Sequence, residues 1–304
     1  MLKMGDYNYR HFSRRILGEL EDESFSGPAA GDQSPDFKAV MLSGERVRLS
    51  DYQGRSNVLL VFGSATCPFT AASIAGINSL HDSVDSGDVR ILFVYVREAH
   101  PGERIPAHRS LRDKASAARL LADEEEMEMP IIVDDVHGSI HRKYSRLPNP
   151  AFLIDKAGRI AFRMRWTKPQ ELAAAIRELL EAQTDSGNDH AIVHGGQELS
   201  PPLSYDRLHA FRAVERGGEE SVRDFHAVFG RFSRLSLSLP QAILQHPGRI
   251  LAVTALAGAA LAGGLYAGFE LRKRRLGVRR NPYRAYEKEK RDTETGTDYG
   301  AVGI

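Results

Sequence analysis

Short apolar, β-branched runs recur along the first 170 residues and are separated by longer amphipathic stretches. The runs Asn57–Phe62, Arg90–Val96, Pro130–Val133, Ala151–Ile154 and Arg159–Arg165 predict strands. Between and after them, Phe69–Asp82, His108–Glu126 and Pro169–Gln183 predict helices. Strand–helix alternation of this kind implies a sheet covered on both faces. Asp155-Lys-Ala-Gly158 is a tight-turn sequence, so the last two strands should pair antiparallel. Ser34-Pro-Asp-Phe-Lys38 should lead into a further short strand.

The pattern changes at both ends. Residues 1–25 read as an N-terminal helical extension and 26–183 as the main domain. The N-terminus lacks the apolar core of a secretory signal. Residues 184–240 combine a polar linker, Thr184–Pro202, with Arg/Phe/Leu-bearing helical stretches broken at Gly217-Gly218 and Gly230. This helical part is expected either on a membrane surface or packed on the main domain. Ile250–Phe269 carries no charge and is long enough to cross a bilayer as a single transmembrane helix. Tyr266 and Phe269 lie near one edge of it, and Gly264 and Gly268 are spaced for a close helix contact. The tail 270–304 is basic, then polar, and its Arg272–Arg275 run is expected against lipid headgroups. The predicted location is a single-pass membrane protein. About eight Lys/Arg follow the span within twenty residues against three before it, placing the tail in the cytoplasm. With no export signal ahead of the span, the side of the membrane that holds the main domain stays open.

Composition narrows the chemistry. The chain has 304 residues, 42% hydrophobic and 27% charged, with a formal net charge of +1, so no global field points to nucleic acid. A single cysteine excludes an internal disulfide, a Cys-x-x-Cys dithiol and a cysteine-rich zinc site. Any redox cycle on it needs an external thiol reductant or a second copy of the chain in a homodimer. No bound cofactor and no metal are expected. His137 and His141 have helix-face spacing for a metal, but the intervening Gly138 argues against one. Asp123–Glu126 reads as a solvated helix end.

That cysteine, Cys67, follows the strand Asn57-Val-Leu-Leu-Val-Phe-Gly63 and precedes Pro68 and a small-residue helix. Pro68 suits the first helical position. Free amides and the helix dipole at that terminus favour a thiolate. With the Ser64 and Thr66 hydroxyls beside it, Cys67 is expected to have a lowered pKa and to act as a nucleophile. A nucleophile at a strand–helix turn, a central mixed sheet and a closing hairpin plus helix predict an α/β thioredoxin-like fold. That fold usually places a cis-proline near the strand at 151–154, making Pro148 or Pro150 the candidate to line the site.

Three blocks carry a family resemblance: Gly63-Ser-Ala-Thr-Cys67-Pro-Phe, Val94-Tyr-Val-Arg-Glu-Ala-His-Pro101, and Ile105-Pro-Ala-His108 through Leu121. Over roughly residues 35–180 the chain resembles the iodothyronine deiodinases, a thioredoxin-fold group related to peroxiredoxins. The resemblance implies that Cys67 stands where the family usually has selenocysteine and attacks iodine. It implies that His100 and His108 are catalytic and that Ser64, Thr66 and Tyr95 help to move protons; Glu98, in the second block, is a candidate active-site support residue. Reductive dehalogenation leaves a carbanion-like carbon to be protonated, a task suited to histidine. The substrate would be a small aromatic halide. A second reading is one-cysteine peroxide reduction. Peroxiredoxins have a proline seven residues before the cysteine and Thr/Ser three before it. Ser64 fits, Leu60 does not, and Arg146 is the candidate to hold thiolate and peroxide. A third reading is a non-catalytic, membrane-anchored binding module.

Overall fold

The computed structural model describes residues 7–22, 25, 27–84, 87–193 and 207–229. The membrane span expected at 250–269, the tail 270–304, and residues 194–206 and 230–240 of the 184–240 segment lie outside the described residues. No helix among the described residues is long and apolar enough to cross a membrane.

A seven-stranded mixed sheet runs in the order β2-β1-β5-β4-β3-β6-β7. The strands are β1 (Lys38–Met41), β2 (Arg46–Arg48), β3 (Asn57–Gly63), β4 (Val89–Tyr95), β5 (Ile131–Val133), β6 (Ala151–Ile154) and β7 (Ile160–Met164). β3 pairs parallel with β4 and β4 with β5, whereas β6 pairs antiparallel with β3 and β7. The Asp155–Gly158 turn forms as its sequence implies, with Gly158 at φ +79°, a conformation glycine adopts without a Cβ penalty.

Every residue of β3 is buried because both sheet faces are covered. Leu59 and Val61 face one core with Ile91, Phe93, Leu172 and Leu179; Val58, Leu60 and Phe62 face the other with Leu92, Val94 and Phe152. The helices are α1 (Arg14–Asp22), α2 (Pro68–Ser83), α3 (Leu111–Glu124), α4 (Ser139–Tyr144), α5 (Pro169–Ser186), α6 (Arg207–Arg216) and α7 (Glu219–Phe229). α2, α3 and α5 supply the first core, and α4 the second.

The expected His108–Glu126 helix begins later. Ser110 and Asp113 close a reciprocal capping box, which starts α3 at Leu111 and leaves His108 in the preceding loop. The expected linker is also shorter at its start, since α5 continues through Ser186. Beyond it, Val193 is buried and its N–H bonds Ala161 O, adding that loop to the domain. The glycine break at 217–218 does separate two helices, and the α6–α7 hairpin packs on the main domain, chiefly against α2. Glu125 is accordingly no solvated helix end: it is buried and, with Glu124, ion-pairs with Arg216 of α6.

Candidate active site

β3 delivers the chain to a turn, Ser64–Thr66, and Cys67 then caps α2 with Pro68 in its first turn. Cys67 N–H donates to Ser64 O at 3.2 Å, and Cys67 O accepts from Ala71 N–H at 3.1 Å. The side chain is fully buried. Burial pushes the thiol above its ordinary value. The Thr70 hydroxyl and the Thr70 and Phe69 amides favour the thiolate, while the Glu98 charge adds to the rise. The expectation of a lowered pKa is therefore overturned for this closed site. The helix terminus acts as foreseen, but desolvation outweighs it. The hydroxyls foreseen beside the sulfur are also occupied elsewhere. Thr66 Oγ1 donates to Glu98, and Ser64 Oγ accepts from Ala99 N–H at 3.3 Å.

Glu98 is the hub. Its carboxylate accepts from Thr66 N–H at 2.9 Å, Thr66 Oγ1 at 2.7 Å, His108 Nε2 at 2.9 Å, and the Tyr95 hydroxyl. Burial alone would raise this carboxyl. The bonds and charge of His108, with the bonds from Tyr95 and Thr66, bring it below the usual carboxylate range. Tyr95 OH also accepts from Ala65 N–H at 3.2 Å, which ties the nucleophile turn to β4. Burial and the Glu98 charge hold Tyr95 well above the usual tyrosine value, so it remains a donor.

His100 sits differently. Its backbone N–H donates to Thr66 Oγ1 at 3.0 Å, linking it to the Glu98 network through the main chain. Its ring lies in an aromatic setting, 4.3 Å from Phe12 and 5.3 Å from Phe225 between centroids, and its buried Nδ1 has no partner. Burial lowers its pKa to about 3, against the opposing pull of Glu98. His100 is thus neutral at physiological pH, able to accept or donate one hydrogen bond but not to serve as an imidazolium acid.

The remaining expected residues lie at varied distance from this centre. Half-buried Arg146, in the loop before β6, receives an Arg97 hydrogen bond at its carbonyl, and its charge bears on His141. Pro150 is buried and its carbonyl accepts from Phe62 N–H, bracing the end of β3; Pro148 is half-buried. No peptide bond among the described residues is cis, which removes the expected cis-proline. The adjacent Asn149 makes the clip instead, donating to Phe62 O and accepting from Thr167 N–H. Both ring nitrogens of His141 are engaged, Nδ1 by the Tyr7 hydroxyl and Nε2 by Leu147 O, so it offers no lone pair to a metal.

Sequence reasoning missed Thr70, one helical turn beyond Cys67, although a hydroxyl three residues after an N-terminal nucleophile was a readable signal. It also missed Phe12 and Phe225, which come from segments remote in sequence and carry no motif. Together the arrangement offers a buried thiol, a carboxylate–histidine pair of the kind that can relay a proton, and an unpartnered imidazole nitrogen in apolar surroundings.

Residues 14–183 match the family described as iodothyronine deiodinase. A type I iodothyronine deiodinase of Xenopus laevis is 31% identical over 172 residues, covering 52% of this chain and 66% of that protein. A thyroxine 5-deiodinase of Ovis aries is 30% identical over 135 residues, covering 41% and 46% respectively. The chain thus spans less than two thirds of the length of these relatives. Peroxiredoxin Bcp of Bacillus subtilis is 24% identical over 157 residues, covering 51% of this chain and 96% of that protein. With the family match extending from α1 through most of α5, the chain belongs to the iodothyronine deiodinase family.

Proposed function

We propose that this protein is a thiol-dependent oxidoreductase that removes iodine, or a comparable halogen, from a small aromatic substrate, with Cys67 as nucleophile. The observation that carries the reading is the Glu98 carboxylate, which gathers Thr66, Tyr95 and His108 immediately behind the cysteine turn. Such a relay serves a reaction that must deliver a proton to carbon.

The Cys67 thiolate attacks iodine. The carbon–iodine electron pair passes to the ring carbon, which takes a proton, and the sulfur is oxidised to a sulfenyl iodide. An external thiol displaces iodide to give a mixed disulfide, and a second external thiol restores Cys67. The sum is ArI + 2 RSH → ArH + RSSR + HI. His108, backed by Glu98, supplies the proton; His100 Nδ1 holds the phenolic oxygen.

Peroxide reduction is the second reading, favoured by the similarity that spans nearly all of the Bacillus peroxiredoxin. Parallel assays of the purified protein with dithiothreitol separate the two: iodide release from an iodinated phenol supports dehalogenation, and thiol-dependent peroxide loss without iodide release refutes it. We further propose that residues 250–269 anchor the enzyme in a membrane; extraction of the full chain by alkaline carbonate would refute the anchor.

A further inference from the structure

The α6–α7 hairpin is seated against the His100 ring. Cys67 is fully buried, and the His100 ring has Phe12 on one side and Phe225 of α7 on another. Phe211 and Phe229 back Phe225 at 5.6 and 4.6 Å, so the ring seat is filled by the protein's own side chains. A buried, unpartnered imidazole nitrogen in such a cluster is a costly feature for a merely structural contact. It marks a place where a polar aromatic ligand would restore a hydrogen bond.

The two segments that close the seat are held very differently. The N-terminal strap is locked: Tyr7 is buried against His141 with the Arg97 and Arg142 guanidinium groups over its ring, and Asn8 bonds His108 O and Val136 O. The hairpin is held along α6 by packing against α2 and by Arg216, which donates to Ala65 O at 3.2 Å and pairs with Glu124 and Glu125, and it docks again at its elbow. Gly217 O accepts from Arg104 N–H at 3.0 Å, Ser221 Oγ donates to His100 O at 2.7 Å, and the exposed Glu103 carboxylate caps α7 through the Glu219 and Glu220 amides. The approach is close enough that a Cβ on Gly217 would stand 2.6 Å from His100 O. Phe225 reaches the His100 ring only through this hairpin, so its release is what would open the seat.

We propose that α6–α7 is a displaceable cap in which Phe225 occupies, against His100, the place taken by the substrate's aromatic ring, so that substrate and cap compete. The ring's identity rests on the dehalogenase reading above; the cap itself does not. With one cysteine in the chain, iodoacetamide alkylation of the full-length protein reports opening directly. Gly217→Val, which cannot seat the elbow, should alkylate at least about tenfold faster than wild type. Phe225→Ala, which empties the seat but keeps the elbow, should do so by a smaller factor. Far-UV circular dichroism and a thermal transition near that of wild type identify both as folded. Wild-type alkylation as fast as a small exposed thiol, or equal rates in all three folded proteins, overturns the proposal. Faster alkylation with no iodide release from any of them leaves the cap standing and refutes the dehalogenase reading instead.

Discussion

Two histidines of this site are buried almost equally, His100 with 6% and His108 with 4% of its surface exposed, yet they are opposite chemical objects. His108 faces a carboxylate that three other donors hold in place. His100 faces aromatic rings and has a bare nitrogen. The polar half of the site can store and pass a proton; the apolar half can hold a ring and orient one hydrogen bond. Burial alone says nothing about a histidine's role, because the partner sets whether the charged form is supported.

Glu98→Gln breaks the polar half most completely. It keeps the shape but removes the charge that His108, Tyr95 and Thr66 converge on. Iodide release should fall at least about a hundredfold, the typical range for general acid–base catalysis. Next, His108→Ala should cost about a hundredfold in the turnover rate, while His100→Ala should cost about tenfold and act mainly on KM, since it loses a substrate contact. Equal effects on both parameters in the two variants would erase the distinction between the halves.

Acid stability probes the apolar half. The folded His100 stays neutral down to about 3, whereas the unfolded residue takes up a proton below about 6.5. The unfolded state then binds more protons, so stability is full above about pH 6.5 and falls as pH drops toward 3. At pH 5 the loss is about 2 kcal/mol from this residue. Buried His141 shifts in the same direction and adds to it. Denaturant midpoints at pH 7 and pH 5 should therefore differ clearly, and His100→Leu should lessen the difference. Arg146→Ala should have the smallest effect, under about threefold on iodide release, because its charge bears on His141.

The two halves also differ in how far the sequence disclosed them. The Glu98 half comes from two compact blocks, 63–69 and 94–108, whose spacing is readable because β3 and β4 are parallel neighbours and their C-terminal ends meet. The strands themselves announce their burial through unbroken apolar runs. His100 was legible as a residue but not as an environment, since Phe12 and Phe225 arrive from the two ends of the domain through tertiary packing that no local period encodes. The direction of the Cys67 shift failed for the same reason. A helix N-terminus is visible in Cys-Pro, whereas the desolvation that overrides it comes from tertiary burial that no local pattern encodes. Likewise, the Ser110–Asp113 cap, two residues past His108, decided whether that histidine lay in a helix or a loop.

The central claim is that Cys67 takes the halogen. Because the chain holds one cysteine, it can be tested without any external thiol, where turnover must stop after one event. Mixed with excess iodinated phenol, the reduced wild-type protein should form at most one deiodinated phenol per chain and lose its titratable thiol in step, the iodine staying on the Cys67 sulfur until a thiol or water displaces it as iodide, and Cys67→Ser should form none. Deiodinated phenol from Cys67→Ser, or an unchanged thiol and no deiodinated phenol from wild type, would contradict the account.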